Sequence, residues 1–214
     1  KWGNPGAASE SNGKKVFNDS NGYLSVWHMG SEVEDEVGTL SSEDTGTTET
    51  QGMVGRARHF ENRGVFCGDQ INSYPTGNSV HTSQAWFRSQ ASRGRVMAWG
   101  NEKGQGKVVM QYRSPPRVHM ECYFSDANVD GDLNTKEPQW VHAVHTYRRG
   151  ESLIYLNGVL AGTGNPRATA LNVESPSRMW IGGWYNNYDF VGDIDEVRVS
   201  NVIRSPEWIQ LEYE

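Results

Sequence analysis

Long apolar segments are missing from this sequence of 214 residues. No run comes near the roughly 20 consecutive apolar residues that a membrane-spanning helix needs, so we expect no membrane insertion. Aromatic residues, in contrast, make up 11% of the chain, and apolar residues as a whole make up 36%. This content is too high for a disordered chain and is enough to fill the core of a β-sandwich.

Cysteine is nearly absent as well. The chain has two, Cys67 and Cys122, which is too few for a disulfide framework. A metal site built on these two alone is not expected. The sequence leaves two alternatives open: one disulfide bridge between them, or two buried free thiols.

Positive charge is in the minority. Twenty lysine and arginine residues stand against 26 acidic residues, so the net charge is −6. A general nucleic-acid-binding protein carries a basic face for phosphates, so we expect no nucleic-acid partner. Residues 32–49 are strongly acidic, whereas residues 56–117 carry half of the basic side chains, ten of the twenty lysines and arginines. A local basic surface is therefore compatible with the overall negative charge.

The chain shows no targeting segment, and its first residues read like the interior of a longer protein. We therefore expect a fragment, in which residues 1–21 are the tail of a preceding domain or an N-terminal extension. Residues 22–214 are predicted to form one domain, because all-β sandwiches of this length are commonly single domains.

Short apolar segments separated by turn residues dominate the rest of the sequence. Several alternate apolar and polar side chains, which is typical of half-buried strands. Asn157-Gly158 between two apolar runs is the strongest short hairpin signal, and residues 32–52 are predicted to be a polar surface loop. One helix is predicted over residues 205–211, because serine can cap its start and proline suits its first turn. The predicted strands cover residues 23–29, 64–67, 83–88, 96–99, 107–112, 118–124, 140–147, 153–156, 178–182 and 194–199.

About ten short strands and one terminal helix predict an all-β fold. The expected architecture is a two-sheet antiparallel β-sandwich, a jelly roll with a short C-terminal helical turn.

Four segments of the sequence also form a recognisable series. They are residues 22–29, residues 140–147 with the hairpin at 154–158, the Trp-Ile-Gly-Gly at 180–183, and residues 190–199 continued by 204–209. In order and spacing they resemble the laminin-G-like, concanavalin A-like domains of bacterial surface and polysaccharide-degrading proteins. Residues 60–69 depart from that family, which usually has Phe-Asp-Gly followed by acidic residues there.

The resemblance implies a structural calcium ion. Its expected ligands are Asp195, backbone carbonyls and an acidic residue from positions 32–36, because calcium prefers six to eight oxygen ligands. A second candidate is a calcium-loop pattern with acids at alternate positions, glycine sixth and glutamate twelfth. The alternative for this segment is a solvated turn rich in Asp and Asn. Its candidate ligands are Asp126, Asn128, Asp130, Asp132 and Glu137.

Carbohydrate binding requires aromatic rings that stack on sugar faces and polar groups that read hydroxyls. The segment between the last two predicted strands offers both, and the alternative is a loop that packs on itself. Its candidate ligand-binding residues are Trp184, Tyr185, Asn186, Asn187 and Tyr188.

Further ligand-binding candidates lie on strands that we expect to line a concave sheet. They are Arg88, Trp99 and Arg113, and the alternative for Trp99 is a position in the core. Arginine side chains can also bind sulfate or carboxylate in forked geometry, with a solvated basic face as the alternative. The residues considered for that role are Arg93, Arg95, Arg113 and Arg117.

Catalysis by a glycosidase requires two carboxylates that face one cleft. The acidic cluster on a predicted strand, residues 193–196, matches a structural segment of the family, so we predict no catalytic residue. The sequence therefore favours a non-catalytic carbohydrate-binding module that binds a polysaccharide, with an anionic polysaccharide as one option. We expect it to be attached to other domains of a larger extracellular or cell-surface protein. The alternatives are a protein-interaction or adhesion module without a sugar ligand, and a polysaccharide lyase or hydrolase.

Overall fold

The computed structural model describes residues 12–123, 127–134, 138–164 and 171–214. In these residues it contains seventeen strands, two α-helices and a 3₁₀ turn at Asp19–Asn21. The helices are α1 (Gly13–Val16) and α2 (Pro206–Tyr213). The strands are β1 (Tyr23–Trp27), β2 (Glu43–Asp44), β3 (Thr48–Gln51), β4 (Arg56–Glu61), β5 (Val65–Ile71), β6 (His81–Ser89), β7 (Arg93–Gly100), β8 (Lys107–Arg113), β9 (Arg117–Glu121), β10 (Val129–Asp132), β11 (Val141–Arg148), β12 (Glu151–Leu156), β13 (Val159–Thr163), β14 (Ser177–Ile181), β15 (Gly183–Trp184), β16 (Asn187–Tyr188) and β17 (Val191–Ser200).

Most of these strands form two large antiparallel sheets. The first sheet has the order β13-β12-β11-β6-β17-β4-β3, and β1 pairs with the second half of β17. The second sheet has the order β10-β9-β8-β7-β14-β5-β2, and β15 pairs with β16 as a separate hairpin. The predicted fold class, an all-β two-sheet antiparallel sandwich with a short C-terminal helix, is confirmed.

A continuous apolar core lies between the two sheets. β6 illustrates how the sequence produces it, because side chains alternate between the two faces of a strand. Ala85 and Phe87 point into the core, whereas Trp86 and Arg88 point to the outer face of the first sheet. Complete burial of an apolar side chain stabilises the fold by roughly 1.5–3 kcal/mol, so the inward positions of the strands hold the sandwich together.

The C-terminal helix begins where the sequence predicts. The Ser205 hydroxyl accepts a hydrogen bond from the Trp208 N–H at 3.2 Å, and Pro206 occupies the first turn. The helix continues to Tyr213, two residues beyond the predicted end. Neither described helix has the length and apolar character that a membrane crossing requires.

Helix α2 covers part of the outer face of the first sheet. Ile209 packs against Val144 and Tyr155, and Tyr213 stacks on Trp86 with ring centroids 5.7 Å apart. The outer face of the second sheet carries no helix within the described ranges, so it is the more open of the two.

The polar segment at residues 32–52 is not a continuous loop. It contains β2 and β3, each of which is an edge strand of its sheet. Three of the four residues of β3 are exposed, and none is fully buried. A strand that buries neither face lacks the apolar alternation by which strands are recognised in sequence, so the prediction of a loop was wrong at these positions.

Residues before β1 contact the sandwich. The Phe17 ring packs edge-on against the rings of Tyr23 and His28, with centroids 5.2 and 5.1 Å apart. Residues 1–11 lie outside the described residues, and the assignment of residues 1–21 to a preceding domain stays a prediction.

The two cysteines are free and buried. Cys67 lies on β5, Cys122 follows β9, and three strands of the second sheet separate β5 from β9. With about 4.8 Å between neighbouring strands, the two strands are on the order of 19 Å apart, which is far beyond the Cα separation that a disulfide spans. Of the two alternatives, the structure has the free thiols.

Candidate functional site

The outer face of the second sheet carries a second, smaller apolar cluster. Ala98, Val109 and Trp180, on β7, β8 and β14, pack there with Trp184. The residues on either side of Trp180 along β14 belong to the main core, so strand alternation turns the indole outward. Trp184 belongs to the β15–β16 hairpin, which therefore lies on this face as a ridge.

The hairpin turns at Tyr185 and Asn186. Gly183 pairs with Tyr188, and Trp184 pairs with Asn187, which leaves two residues in the turn. Both have positive φ, 49° for Tyr185 and 55° for Asn186. This is the pattern of a type I′ turn, whose twist matches that of the flanking strands. Asparagine tolerates the left-handed region, whereas a bulky residue such as tyrosine is strained there.

Tyr185 presents its ring at the surface. The residue is 42% exposed, and its ring stacks on that of Trp180 with centroids 5.1 Å apart and an interplanar angle of 26°. The Arg178 guanidinium lies 4.9 Å from the Tyr185 ring centroid and donates a hydrogen bond to its hydroxyl. Because Trp180 and Arg178 both belong to β14, the ring rests on the sheet with one side and faces solvent with the other.

A cleft of about 370 Å³ opens beside this ring, and we name it the aromatic cleft. Exposed Asn186 and half-buried Tyr188 contribute to its wall, whereas exposed Asn187 does not line it. Its lining combines aromatic rings with carboxylate, amide, hydroxyl and guanidinium groups. The lining residues are Glu43, Thr45, Phe66, Asp69, Arg178, Trp180, Tyr185, Asn186 and Tyr188.

Trp184 differs from the sequence-based expectation. The residue is only 5% exposed, its ring packs edge-on against Trp180 at 4.9 Å, and its indole N–H donates a hydrogen bond to Glu102. The Lys107 ammonium lies 5.1 Å from the Trp184 ring centroid. Trp184 therefore attaches the hairpin to the sheet and offers little ring surface to a ligand.

A second cleft, of about 480 Å³, lies on the same face beyond the hairpin, and we name it the arginine cleft. Asp189, which follows the hairpin, accepts hydrogen bonds from the Arg95 backbone N–H at 3.0 Å and from Arg95 Nη1 at 2.7 Å. Arg113 Nε donates to Gln111 Oε1 at 3.1 Å. The lining residues are Ser92, Arg93, Gly94, Arg95, Gln111, Arg113, Ser114, Glu121 and Asp189.

Two further candidates do not reach this face. Trp99 is fully buried in the main core, and its Nε1–H donates to the Ser83 hydroxyl at 3.0 Å; its assignment as a ligand platform was wrong. Arg88 lies on the outer face of the first sheet, where Nε and Nη2 donate to Asp193 Oδ2 at 2.9 and 2.6 Å. Its guanidinium also covers the Trp140 ring at 5.4 Å. Arg88 and Arg113 are therefore on opposite faces of the sandwich and cannot share a ligand.

Asp195 lies on the outer face of the first sheet and is fully buried. Its Oδ2 accepts hydrogen bonds from the backbone N–H groups of Met53 and Val54 at 2.9 and 3.0 Å, whereas Oδ1 has no partner in the described part of the chain. Burial raises the pKa of Asp195 to about 6. The unpartnered oxygen suits one bond to a cation, and the other ligands would have to come largely from backbone carbonyls.

The sequence predicts a second acidic calcium ligand among residues 32–36, but Asp35 already serves as a hydrogen-bond acceptor for the backbone. The Asp35 carboxylate accepts hydrogen bonds from the backbone N–H groups of Val26, Val37, Thr39 and Leu40. Within the described residues, no group of three histidine, cysteine or acidic side chains is placed to hold a metal ion. The calcium ion at Asp195 stays a prediction.

The calcium-loop pattern is interrupted by a strand. Residues 129–132 form β10, which pairs with β9. Asn128 Oδ1 accepts from the Cys122 backbone N–H at 2.6 Å, and Asp130 pairs with His119 Nδ1 at 2.8 Å. Asp132 lies at the end of β10 opposite Arg117. The two outer members of the pattern, Asp126 and Glu137, lie outside the described residues.

Sequence reasoning did not single out Arg178 and Trp180, the floor of the aromatic cleft. The sequence predicts a strand over residues 178–182, and the structure has β14 there, with Met179 and Ile181 in the main core. The signal that could have found the floor is the polar and aromatic character of the alternate positions, 178 and 180, which face the other side of the same strand.

Comparison with known families gives one match that covers more than half of the chain. The family model of the concanavalin A-like lectin/glucanases superfamily matches residues 68–210. A search of curated protein sequences finds no match.

Solved structures with a similar fold come from several organisms. One is domain 4 of AbnA, a GH43 extracellular arabinanase from Geobacillus stearothermophilus, in complex with arabinotriose; it has a TM-score of 0.69 at 16% identity, covering 90% of this chain and 98% of that one. The binding domain of Paraclostridial mosquitocidal protein 1 has a TM-score of 0.66 at 11% identity, covering 90% and 52%. Trypanosoma rangeli sialidase has 0.66 at 15% identity, covering 90% and 32%. The chain spans about half the length of the mosquitocidal binding domain and about a third of the length of the sialidase. At these identities, the likeness shows a shared fold alone.

Proposed function

Because the chain belongs to the concanavalin A-like lectin/glucanases superfamily, we propose that it is a non-catalytic carbohydrate-binding module of a larger secreted or cell-surface protein. Its ligand is a polysaccharide, which it binds at the aromatic cleft on the outer face of the second sheet. The similar arabinanase domain is extracellular by its name and was solved with arabinotriose, which supports this reading of the shared fold.

The observation that carries the proposal is the position of Tyr185. A left-handed backbone conformation costs a bulky residue on the order of 1–3 kcal/mol, and Tyr185 adopts it with 42% of its surface exposed. Strained residues cluster at ligand-binding and active sites; unlike Met29, which has a similar φ and is buried, Tyr185 leaves its ring exposed. A flat ring supported from beneath by Trp180 is the surface on which the C–H face of a sugar stacks.

Polar groups around the ring suit the hydroxyls of a sugar. Asn186 offers an amide donor and acceptor, Glu43 and Asp69 offer carboxylate acceptors, and Arg178 offers donors. An aromatic platform with donors and acceptors at its edge is the combination that carbohydrate recognition requires.

The acidic residues of β17 are poorly suited to hydrolysis. Asp193 accepts from Arg88 and lies 2.7 Å from His59 Nδ1, and Asp195 accepts from two backbone N–H groups. Glu196 lies 2.7 Å from His28 Nδ1 and pairs with Arg198. All three carboxylates are buried, so they do not form the open pair that a glycosidase requires. These three carboxylates are therefore poor candidates for catalysis, and a test for released products is needed for the pair that does line the aromatic cleft, Glu43 and Asp69.

Two separate variants, one in the aromatic cleft and one on the opposite face, test the proposal. Tyr185→Asn removes the ring and keeps a residue that tolerates the left-handed turn, so we expect about tenfold weaker polysaccharide binding with little change in the melting temperature. An aromatic contact contributes on the order of 1 kcal/mol beyond burial. The matched control is Tyr213→Asn, because Tyr213 is 41% exposed and lies on α2 at the opposite face.

Binding is measured on a panel of immobilised polysaccharides, together with release of reducing ends and unsaturated products. The proposal predicts that at least one polysaccharide binds, that Tyr185→Asn alone weakens it, and that no product appears. Unchanged binding by a stably folded Tyr185→Asn variant would contradict the site, and reproducible product release would contradict the non-catalytic assignment.

A protein-interaction module is the second candidate, because α2 exposes Trp208 and Leu211 to solvent. These side chains lie on the face opposite the two clefts. A panel on which no polysaccharide binds would favour this candidate over the first.

A further inference from the structure

Three arginines stand side by side across the second sheet. Arg93 on β7 pairs in register with Arg113 on β8, and Arg113 pairs with Arg117 on β9. Directly opposite residues of an antiparallel pair project from the same face with Cβ atoms about 5 Å apart. The three side chains therefore start in one row, the arginine row; Arg93 and Arg113 line the arginine cleft, whereas Arg117 is not among its lining residues.

Two of the three arginines are paired with carboxylates, but only loosely. Arg113 Nη2 is 3.4 Å from Glu121, and Arg117 Nη1 is 3.6 Å from Asp130. Both distances are long for charge-assisted hydrogen bonds. In the part of the chain that the structure describes, Arg93 has no carboxylate within 4.0 Å. Like charges placed directly opposite in a sheet destabilise it, so the row weakens the fold.

Other arginines of this protein are paired closely. Arg58 lies 2.6 Å from Asp44, and Arg95 lies 2.7 Å from Asp189. The exposed Arg56 is paired as loosely as the row, at 3.4 Å from Glu49, but the residue opposite it in the sheet is Gln51. The row differs because three arginines lie opposite one another without a tight carboxylate, which leaves several guanidinium groups available to one anionic ligand.

The groups around the row define the ligand. Arg95, Gln111 and the serines at 92 and 114 line the same cleft, so hydrogen-bond donors and hydroxyls surround the guanidinium groups. A guanidinium fork matches the paired oxygens of a carboxylate or a sulfate group. The β15–β16 hairpin separates this cleft from the aromatic cleft on the same face, so one extended chain can contact both.

We propose that the arginine row binds the carboxylate or sulfate groups of an anionic polysaccharide whose chain crosses the hairpin to the aromatic cleft. This inference rests on the proposed function. A sugar polymer fits better than a nucleic acid, because nucleic-acid-binding surfaces are basic throughout, whereas Glu121, Asp189, Glu43 and Asp69 interrupt the two clefts with negative charge. Their carboxylates can accept hydrogen bonds from sugar hydroxyls.

The experiment compares the wild type with Arg93→Gln and with Arg93→Gln/Arg113→Gln. The probes are polygalacturonate for carboxylate, dextran sulfate for sulfate, and dextran as the neutral polymer. The control is Arg56→Gln/Arg149→Gln, which removes the same charge from exposed positions on the first sheet and its β11–β12 turn.

We expect the wild type to bind one charged polymer at least tenfold more tightly than dextran. The double variant should lose about tenfold or more of that affinity, since hydrogen bonds to charged groups are the stronger class, and the control should lose less than about twofold. The melting temperature of Arg93→Gln should stay level or rise, because the substitution relieves repulsion within the row. The preferred polymer identifies carboxylate or sulfate as the recognised group.

Several results would overturn the inference. Equal losses in the double variant and the control would mean that only net charge matters. Loss of binding together with a lower melting temperature in Arg93→Gln would assign the row a structural role. Tighter binding to duplex DNA or to phosphatidylserine vesicles would identify another class of ligand. Binding of neutral polysaccharide through Tyr185 with no effect of the arginine variants would refute this inference and leave the proposed function intact, whereas binding to no polysaccharide would refute both.

Discussion

The neighbouring aromatic residues Trp184 and Tyr185 have different roles: one is buried and stabilises the fold, and the other is exposed at the surface. Trp184 is buried against Trp180, and truncation of a buried tryptophan costs roughly 3–5 kcal/mol. Tyr185 is exposed and strained, so its ring adds little to the core. The burial of Trp184 therefore stabilises the fold, whereas the strained backbone of Tyr185 opposes stability and leaves its ring at the surface.

Asp195 gives a residue-scale prediction about metal. If calcium binds the unpartnered Oδ1, it stabilises the native state by mass action. We predict that calcium raises the melting temperature of the wild type relative to EDTA, and that Asp195→Asn, which retains an acceptor for Met53 and Val54, abolishes the difference. Identical melting of the wild type in calcium and in EDTA would show that Asp195 is a buried carboxyl group without a metal.

At the scale of the element, the β15–β16 hairpin is a ridge between two clefts. Asp189, which follows the hairpin, binds Arg95 on β7, and Trp184, next to the turn, packs on Trp180 of β14. Tyr188 on the descending strand packs against the position of Gly64. The aromatic cleft is lined by hairpin residues, and the arginine cleft is lined by Asp189, which directly follows the hairpin, so the position of this element affects the shape of both.

Gly64 provides the test of this element. A Cβ atom at residue 64 would lie 2.1 Å from Tyr188 Cδ1 and 2.6 Å from the Ile181 carbonyl oxygen. Gly64→Ala must therefore displace the Tyr188 ring and the hairpin, and overpacking of this kind costs about 1–3 kcal/mol. We expect lower stability in urea unfolding and weaker polysaccharide binding. Gly104→Ala is the control, because a Cβ there meets nothing within 4 Å; equal binding by both variants would contradict the role of the hairpin.

The strands that bury one face were predictable from sequence, and the hairpin was not. The β12–β13 turn at Asn157-Gly158 follows directly from its composition, because both residues adopt the positive φ of a type I′ turn. The Tyr185-Asn186 turn has the same geometry without glycine, so composition does not reveal it. Edge strands such as β3 escape detection for the physical reason that they bury no face.

The sequence identifies the segment that contributes to the candidate site, but not which of its side chains are exposed. The aromatic residues at 184–188 do stand on one face of the sandwich, yet which ring faces inward depends on the register of β15 with β16. Likewise, the basic character of residues 56–117 was visible, whereas the separation of Arg88 from Arg113 follows from the assignment of β6 and β8 to different sheets. Long-range pairing, which local sequence does not encode, determines both.

At the scale of the whole molecule, three buried histidines make stability depend on pH. The His81 ring stacks on Tyr147, and His145 Nε2 lies 2.9 Å from the Ser152 hydroxyl. His142 is covered by Trp86 at 4.9 Å on the outer face of the first sheet. Burial lowers the pKa of His81 to about 4 and that of His142 to about 3, and it lowers the pKa of His145 well below its ordinary value.

We predict that the free energy of unfolding falls as the pH falls from about 6.5 toward 4. In this window the unfolded chain binds protons at these histidines and the folded chain does not, and each such group contributes about 1.4 kcal/mol per pH unit. Asp195, whose raised pKa of about 6 acts in the opposite sense, offsets one of them below pH 6. His28, whose pKa is raised chiefly by its hydrogen bond to Glu196, is protonated in both states below its ordinary pKa of 6.5, so it adds a constant stabilisation in this window and opposes the trend only above it.

Urea unfolding at pH 7.5, 6 and 5 measures how the free energy of unfolding changes with pH. His145→Gln, whose amide can retain the bond to Ser152, should show a shallower decline than the wild type. A slope that is the same in the variant and in the wild type would assign the acid sensitivity to other groups.

The buried thiols allow the opening of the second sheet to be followed chemically. Burial raises the pKa of Cys122 to about 12 and that of Cys67 well above its ordinary value, so neither forms the reactive thiolate while the sheet is closed. A soluble alkylating reagent then modifies each thiol at a rate that reports the population in which its surroundings have opened. Cys67 monitors the part of the sheet beneath the aromatic cleft and Cys122 the opposite edge, so the ratio of the two labelling rates distinguishes local fraying from cooperative unfolding.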